Sequence, residues 1–237
     1  MALPLRFCVL PAVALLAASC AGTTATTTVT VTTSDAPTTS VDAPASPARL
    51  AITVFRVDAG LLRPSVVRVP QTQAVATAAL HALGIDAAVT LADRTASVDL
   101  PKATQDQEAE IVYTLTQFAT IERVDVAGRT GLTRDDFSSY VPPILVESPA
   151  AGAEVRPTFH VSGTASVFEA TLVVELVRDG KVLDKQTVSA AEGAPARGAF
   201  DATFTTTPGP LTVRAFAPSA EDGSPQHEVD VPVSVKG

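Results

Sequence analysis

Cysteine is absent from the folding part of this chain. Both cysteines of the 237-residue sequence, Cys8 and Cys20, fall in its first twenty residues. The rest therefore has none to pair, to hold a metal or to act as a nucleophile, and no structural disulfide is available. Basic clusters are also missing. The net charge is −8, with a pI near 4.8, and the Lys and Arg residues are scattered. Such a surface repels nucleic acid and anionic headgroups, which excludes a nucleic-acid-binding class. The only histidines are His81, His160 and His227, and they lack the close spacing of a zinc site. No Gly-x-Ser-x-Gly elbow for a hydrolytic serine occurs. Glu221-Asp222-Gly223 lacks the alternating acidic pattern of an EF-hand loop and reads as a turn before it reads as a calcium site. No catalytic residue, cofactor or metal site is nominated.

What is present begins with an export signal over residues 1–20. Arg6 supplies the positive start, and Phe7 through Ala18 form an apolar run too short to span a bilayer as a permanent helix. Its end, Leu16-Ala17-Ala18-Ser19-Cys20, resembles a bacterial lipobox, with Leu16 one place further from the cysteine than is usual. Cleavage before Cys20 would make it the lipidated first residue, and several acyl chains, at about 0.8 kcal/mol per buried CH2, would hold the protein on a membrane. Residues 21–48 are Thr, Ser, Ala and Pro with Asp35 and Asp42 as their only charges. That composition cannot bury enough apolar surface to order itself and predicts a disordered tether spanning on the order of 30 Å. It suits either a bare linker or an O-glycosylated stalk.

Residues 49–142 carry mixed periodicities. Leu50 through Val57 reads as a strand ending at the turn Asp58-Ala59-Gly60, and Ser65 through Val69 as a second strand. Ala76, Leu80 and Leu83 recur at helical spacing, with Gly84 placed as a C-cap. Val89–Leu91 and Ala96–Leu100 read as short strands around Asp93-Arg94. Thr104-Gln105-Asp106-Gln107 has the form of a capping box. It opens a helix whose apolar face holds Ile111, Leu115 and Phe118, with Glu108, Glu110 and Gln117 elsewhere. Ile121–Val126 closes the domain as a strand, and Leu132 through Phe137 predicts a short terminal helix whose start Asp135 and Asp136 favour. The expected order is β, β, α, β, β, α, β.

Val141-Pro142-Pro143-Ile144 is a seam, because paired prolines fix φ and remove two backbone donors. Beyond it, residues 143–237 alternate with period two. Asp179-Gly180 is placed for a tight hairpin, and Pro232 on the polar side of Val229, Val231, Val233 and Val235 points to an edge strand. About seven short strands predict an all-β immunoglobulin-like sandwich without its cysteine pair. The fold class is therefore α+β with two domains, a small mixed domain followed by the sandwich, and a fixed interface at the seam.

The stretch Glu110 through Phe118, with Val124, Leu132-Thr133-Arg134-Asp135-Asp136-Phe137 and Pro143-Ile144, resembles the GerM-type domain of bacterial sporulation and germination proteins. Between Gly84 and Thr95 the chain is shorter than that pattern. The second region is similar to the immunoglobulin-like domain that often follows it, through Ser148-Pro149-Ala150-Ala151-Gly152, Val161-Ser162-Gly163-Thr164-Ala165, Val167-Phe168-Glu169-Ala170, Gly198-Ala199-Phe200 and Pro218 through Pro225. The resemblance implies an envelope protein of a Gram-positive-type bacterium, with no enzymatic activity known for either domain class and protein association as its trade. Within these motifs Phe168, Glu169, Arg197 and Asp222 are the candidate structural or binding residues, and a half-buried Glu169–Arg197 ion pair is the first expectation for that pair.

The resulting expectation is a non-catalytic binding or scaffold module, lipid-anchored through Cys20 on the outer face of the bacterial cytoplasmic membrane. Its partners would be that membrane and other envelope proteins. A small-molecule-responsive accessory of a sensor or germination system is the alternative, and a cell-wall hydrolase a remote one.

Overall fold

The structure is a computed structural model that describes residues 48–237; the export signal, Cys20 and the tether up to Pro47 lie outside the described residues. Ser46–Gly237 forms one compact unit. β1 (Arg49–Asp58) and β2 (Leu61–Pro70) make a two-stranded antiparallel hairpin. Its two-residue turn, Ala59 (φ 49°) and Gly60 (φ 80°), has the positive-φ pair that matches strand twist. α1 (Val75–Leu83) follows and stops at Gly84, whose φ of 86° is one glycine adopts without a Cβ penalty. β3 (Val89–Ala92) and β4 (Thr95–Val98) form a second hairpin. α2 (Gln105–Leu115) then crosses over so that β4 pairs in parallel with β5 (Arg123–Val126), and β6 (Arg129–Leu132) completes the order β3-β4-β5-β6. β6 is one strand more than the sequence pattern shows, because Arg129-Thr130-Gly131 is polar and exposed and only Leu132 is buried. A 3-10 helix over Arg134–Tyr140 ends this half.

The capping box forms as the spacing requires. The Gln107 amide donates to Thr104 Oγ1 at 3.2 Å, and the Thr104 amide donates to Gln107 Oε1 at 3.0 Å. Several polar residues of α2 and its end are not left to solvent, however. β1 pairs only with β2, so its other edge has unpaired backbone groups facing α2. There the Phe55 amide donates to Thr114 Oγ1 at 3.0 Å and the Val57 amide to Glu110 Oε1 at 2.8 Å, while Gln117 Nε2 donates to the Thr53 carbonyl at 2.6 Å. Residues 110, 114 and 117 recur one turn apart, so one polar stripe stands in for the missing strand. Glu108 is buried as well and pairs with Arg129.

The second half is a sandwich of two sheets. β7 (Ile144–Ser148), β9 (Thr158–Ala165) and β12 (Gly198–Thr205) form one, in the order β12-β9-β7. β8 (Glu154–Val155), β10 (Thr171–Arg178), β11 (Lys181–Ser189), β13 (Gly209–Pro218) and β14 (Pro225–Val235) form the other, in the order β11-β10-β13-β14-β8. Asp179 and Gly180 make the tight turn between β10 and β11, with φ of 51° and 73°. β14 pairs on its outer side with β8 at Ser234 and Val235, and the Gly152 amide donates to the Pro232 carbonyl at 2.8 Å, so only the short 152–155 segment runs along the strand at Pro232. Among the described residues no helix is long and apolar enough to cross a membrane.

The two cores meet in β7. Ile144 and Val146 pack into the sandwich core, while Leu145, only 2% exposed, packs with Phe55, Leu115 and Phe137 in the core of the first half. Successive residues of a strand point to opposite faces, so a single strand supplies side chains to both cores. Gly163 of β9 lets it lie that close: a Cβ there would come within 2.0 Å of the Leu145 carbonyl oxygen.

Two substitutions test these devices by denaturant unfolding. Thr114→Val keeps the shape but leaves the buried Phe55 amide without an acceptor, and should cost about 1–3 kcal/mol, while Thr114→Ser should restore most of it. Gly163→Ala forces β7 and β9 apart and should cost about 3 kcal/mol or more; a change below about 0.5 kcal/mol would show that the two strands are not held this close.

Candidate functional site

The seam is where both halves contribute side chains to one place. β7 breaks register with β9 between Val146 and Ser148, and this bulge sits at Glu147, aiming its carboxylate away from the sandwich. Arg134, at the start of the 3-10 helix, donates to Glu147 Oε2 at 2.8 Å and to Thr116 Oγ1 at 2.9 Å. Its guanidinium lies 4.8 Å from the Tyr113 ring centroid and 5.5 Å from that of Phe55. Those two rings are themselves in tilted contact at 5.6 Å. Burial pushes the Tyr113 hydroxyl up from its ordinary pKa, against the opposing pull of Arg134. An arginine flanked by two rings and a carboxylate is held from every side, so it sets the angle between the halves.

Main-chain bonds add a second attachment. The Val66 amide of β2 donates to the Ala151 carbonyl at 2.7 Å, and the Ala151 amide donates to the Pro64 carbonyl at 3.3 Å. Beside them Arg68 reaches Glu154 at 2.8 Å and Lys236 reaches the same carboxylate at 3.1 Å. Hydrogen bonds from Arg68 and Lys236 hold the Glu154 carboxyl below the usual carboxylate range.

Between these attachments lies a cavity of about 260 Å³. Its floor is Ile144, Leu145 and Val146 of β7, its walls are Leu61–Pro64 of β2 and Pro142-Pro143, and its mouth is His227–Asp230 of β14. His227 has a φ of 55° at a break in the β13–β14 register between Ala215 and Ala217. Non-glycine residues rarely hold that conformation. The sequence points to the seam through its prolines, but not to Arg134, Glu147 or the β14 bulge, since neither an ion pair across thirteen residues nor a bulge leaves a local pattern.

The motif residues scatter around this site. Arg197 lies closest: it donates to the Pro142 carbonyl at 2.7 Å and to the Thr164 carbonyl and hydroxyl at 3.2 Å. Burial lowers its pKa. The expected Glu169–Arg197 ion pair is not made. Glu169 is exposed on a 3-10 turn at Phe168–Ala170, and Arg197 satisfies itself on carbonyls, which accept its donors without the desolvation of a second charge. Phe168 is 68% exposed. Asp222 accepts from the Ser224 amide at 2.9 Å inside the Ser219–Ser224 turn, and Ser224 holds its carboxyl below the usual range. Cys20 lies outside the described residues. Asp136 accepts from the Thr133 amide at 2.8 Å, which places it as a helix-start residue. The three histidines stand on α1, β9 and β14, and among the described residues no group of three His, Cys, Asp or Glu side chains could hold a metal ion.

Residues 143–224 match the family model described as the immunoglobulin-like domain of bacterial spore germination. No curated protein matches the chain. Among solved structures, the chain is similar to the tandem GerMN domains of the sporulation protein GerM from Bacillus subtilis, with 14% identity over 79% of this chain and 61% of that one, at a TM-score of 0.32. It is also similar to an engineered protein, with 23% identity over 48% of this chain and 24% of that one, at a TM-score of 0.30. The chain thus spans about a quarter to three fifths of the length of these two. Its second half, an all-β sandwich behind a small α+β domain, is thus similar over residues 143–224 to the immunoglobulin-like domain of bacterial spore germination.

Proposed function

We propose that this protein is a non-catalytic binding or scaffold module of the bacterial cell envelope, anchored by lipid on Cys20 to the outer face of the cytoplasmic membrane. The observation that carries this reading is β7, whose alternate residues enter two cores and so hold both halves as one fixed surface. A catalytic lid or a ligand-closing hinge needs freedom at such a junction; a scaffold needs the opposite. The match of residues 143–224 supports a place in a sporulation- or germination-type complex or another envelope complex.

The seam cavity favours a second reading, a small-molecule site. Ligand pockets usually run from about 300 to 1,000 Å³ with a few convergent polar groups; this one is about 260 Å³, floored by Ile144, Leu145 and Val146, with Arg63, His227, Glu228 and Asp230 also in its lining. In the scaffold reading its occupant is a side chain of a protein partner.

Cys20→Ala should move the protein from the membrane fraction to the soluble fraction of its own cells, and unchanged fractionation would refute the anchor. A photo-crosslinking residue at Leu61, on the cavity wall, should give a discrete adduct with an envelope protein in living cells; adducts with lipid alone would contradict the scaffold reading.

A further inference from the structure

At the end of the sandwich three connections meet: 166–170, 190–197 and 219–224, the last with the strand ends beside it at Pro218 and Pro225–His227. The Ala194 amide donates to the Val167 carbonyl at 2.9 Å, and the Ala190 amide to the Ala170 carbonyl at 2.8 Å. Gly193 lies so close that a Cβ would approach the Ala170 nitrogen to 2.8 Å. The Ser166 amide reaches back to the Pro143 carbonyl at 2.8 Å, so this end is tied to the seam.

On that platform Glu169 and Ala170 hold φ of 52° and 55°, two consecutive non-glycine residues in the left-handed region. The turn presents Phe168 to solvent with 68% of its surface exposed, more than any other large apolar residue described. A single exposed apolar residue is ordinary. An aromatic held out by a braced turn, beside a groove, is not. The groove has a volume of about 440 Å³ and is lined by Val167, Phe168, Ala194, Ala217 and Pro218, with Glu221 and His227 at its rim.

The charge around it selects the occupant. Glu169, Glu192, Glu221 and Asp222 are exposed in these loops. Their only Lys or Arg is Arg197, whose guanidinium is committed to the Pro142 and Thr164 carbonyls. An aromatic face surrounded by carboxylates suits a segment that carries cations next to apolar side chains, because a Lys or Arg can lie over the ring while its charge faces carboxylates. The same carboxylates disfavour insertion of Phe168 into an anionic lipid surface.

We propose that this end of the immunoglobulin-like domain is a docking site for an extended, lysine- or arginine-bearing segment of a partner protein, with Phe168 as its aromatic anchor. The proposal gives the binding-module reading a partner chemistry and rests on it only for biological purpose, because its test uses purified protein and no cellular partner. The probe is a fluorescent synthetic peptide alternating lysine with leucine, titrated by anisotropy into the full-length chain, with a glutamate–leucine peptide and phosphatidylglycerol vesicles as parallel arms. The lysine peptide should bind, more weakly as salt rises. Phe168→Ala should weaken it about tenfold, as loss of an anchor residue does. Leu91→Ala, which removes another exposed apolar side chain in the other half, should leave the affinity unchanged, and the glutamate peptide should not bind. The proposal is overturned if the lysine peptide does not bind, if it binds the Phe168→Ala variant equally well, or if Phe168 instead supports binding to the vesicles.

Discussion

Everything in this molecule depends on one strand serving two cores. Ile144 and Val146 close the sandwich, Leu145 closes the α+β half, and Glu147 leaves the strand at a bulge to meet Arg134. The magnitudes rank these contacts. Burying a leucine side chain fully contributes about 1.5–3 kcal/mol, while an ion pair as exposed as Arg134–Glu147, at 29% and 25%, contributes less than about 1 kcal/mol by charge alone. Leu145 therefore contributes more to the cohesion than the ion pair does. Arg134, bracketed by Tyr113 and Phe55, supplies direction.

The same economy recurs where elements lack their usual partners. β1 has a strand on one edge only, and α2 completes the other with Glu110, Thr114 and Gln117. Arg197 ties the seam proline Pro142 to Thr164 of β9 through carbonyls. In both places side chains bonded to backbone amides and carbonyls do the joining, which suits a chain that has no disulfide available to staple its domains. The glycines that matter, Gly163 and Gly193, are those where backbone approaches backbone.

Much of this was legible in the residues. The hairpin turn at Ala59-Gly60, the capping box at Thr104 and Gln107, the Gly84 stop and the Asp179-Gly180 turn each rest on local chemistry that needs no knowledge of the fold. The double role of β7 was visible only in part, because Pro142-Pro143 marks a junction but Ile-Leu-Val reads simply as an apolar run. β6 was missed because a short exposed strand has too few apolar positions to show a period. The sequence places Glu110 and Gln117 only off the apolar face, since a helix stripe that bonds a strand edge has the same spacing as one that bonds water. Of the candidate residues, Arg197 belongs at the seam, Asp222 is spent inside its turn, and Glu169 matters for its backbone, which no side-chain pattern could reveal.

The central claim, that the two halves are one cooperative body because they share β7, is tested most directly by native-state hydrogen exchange on Leu145→Ala. If the claim holds, removing this one side chain lowers protection together in α2 of the first half and in β9 and β12 of the sandwich, by the same free energy. Loss of protection confined to α2 and its neighbours, with the sandwich amides unchanged, would contradict it and show two independent domains that happen to touch.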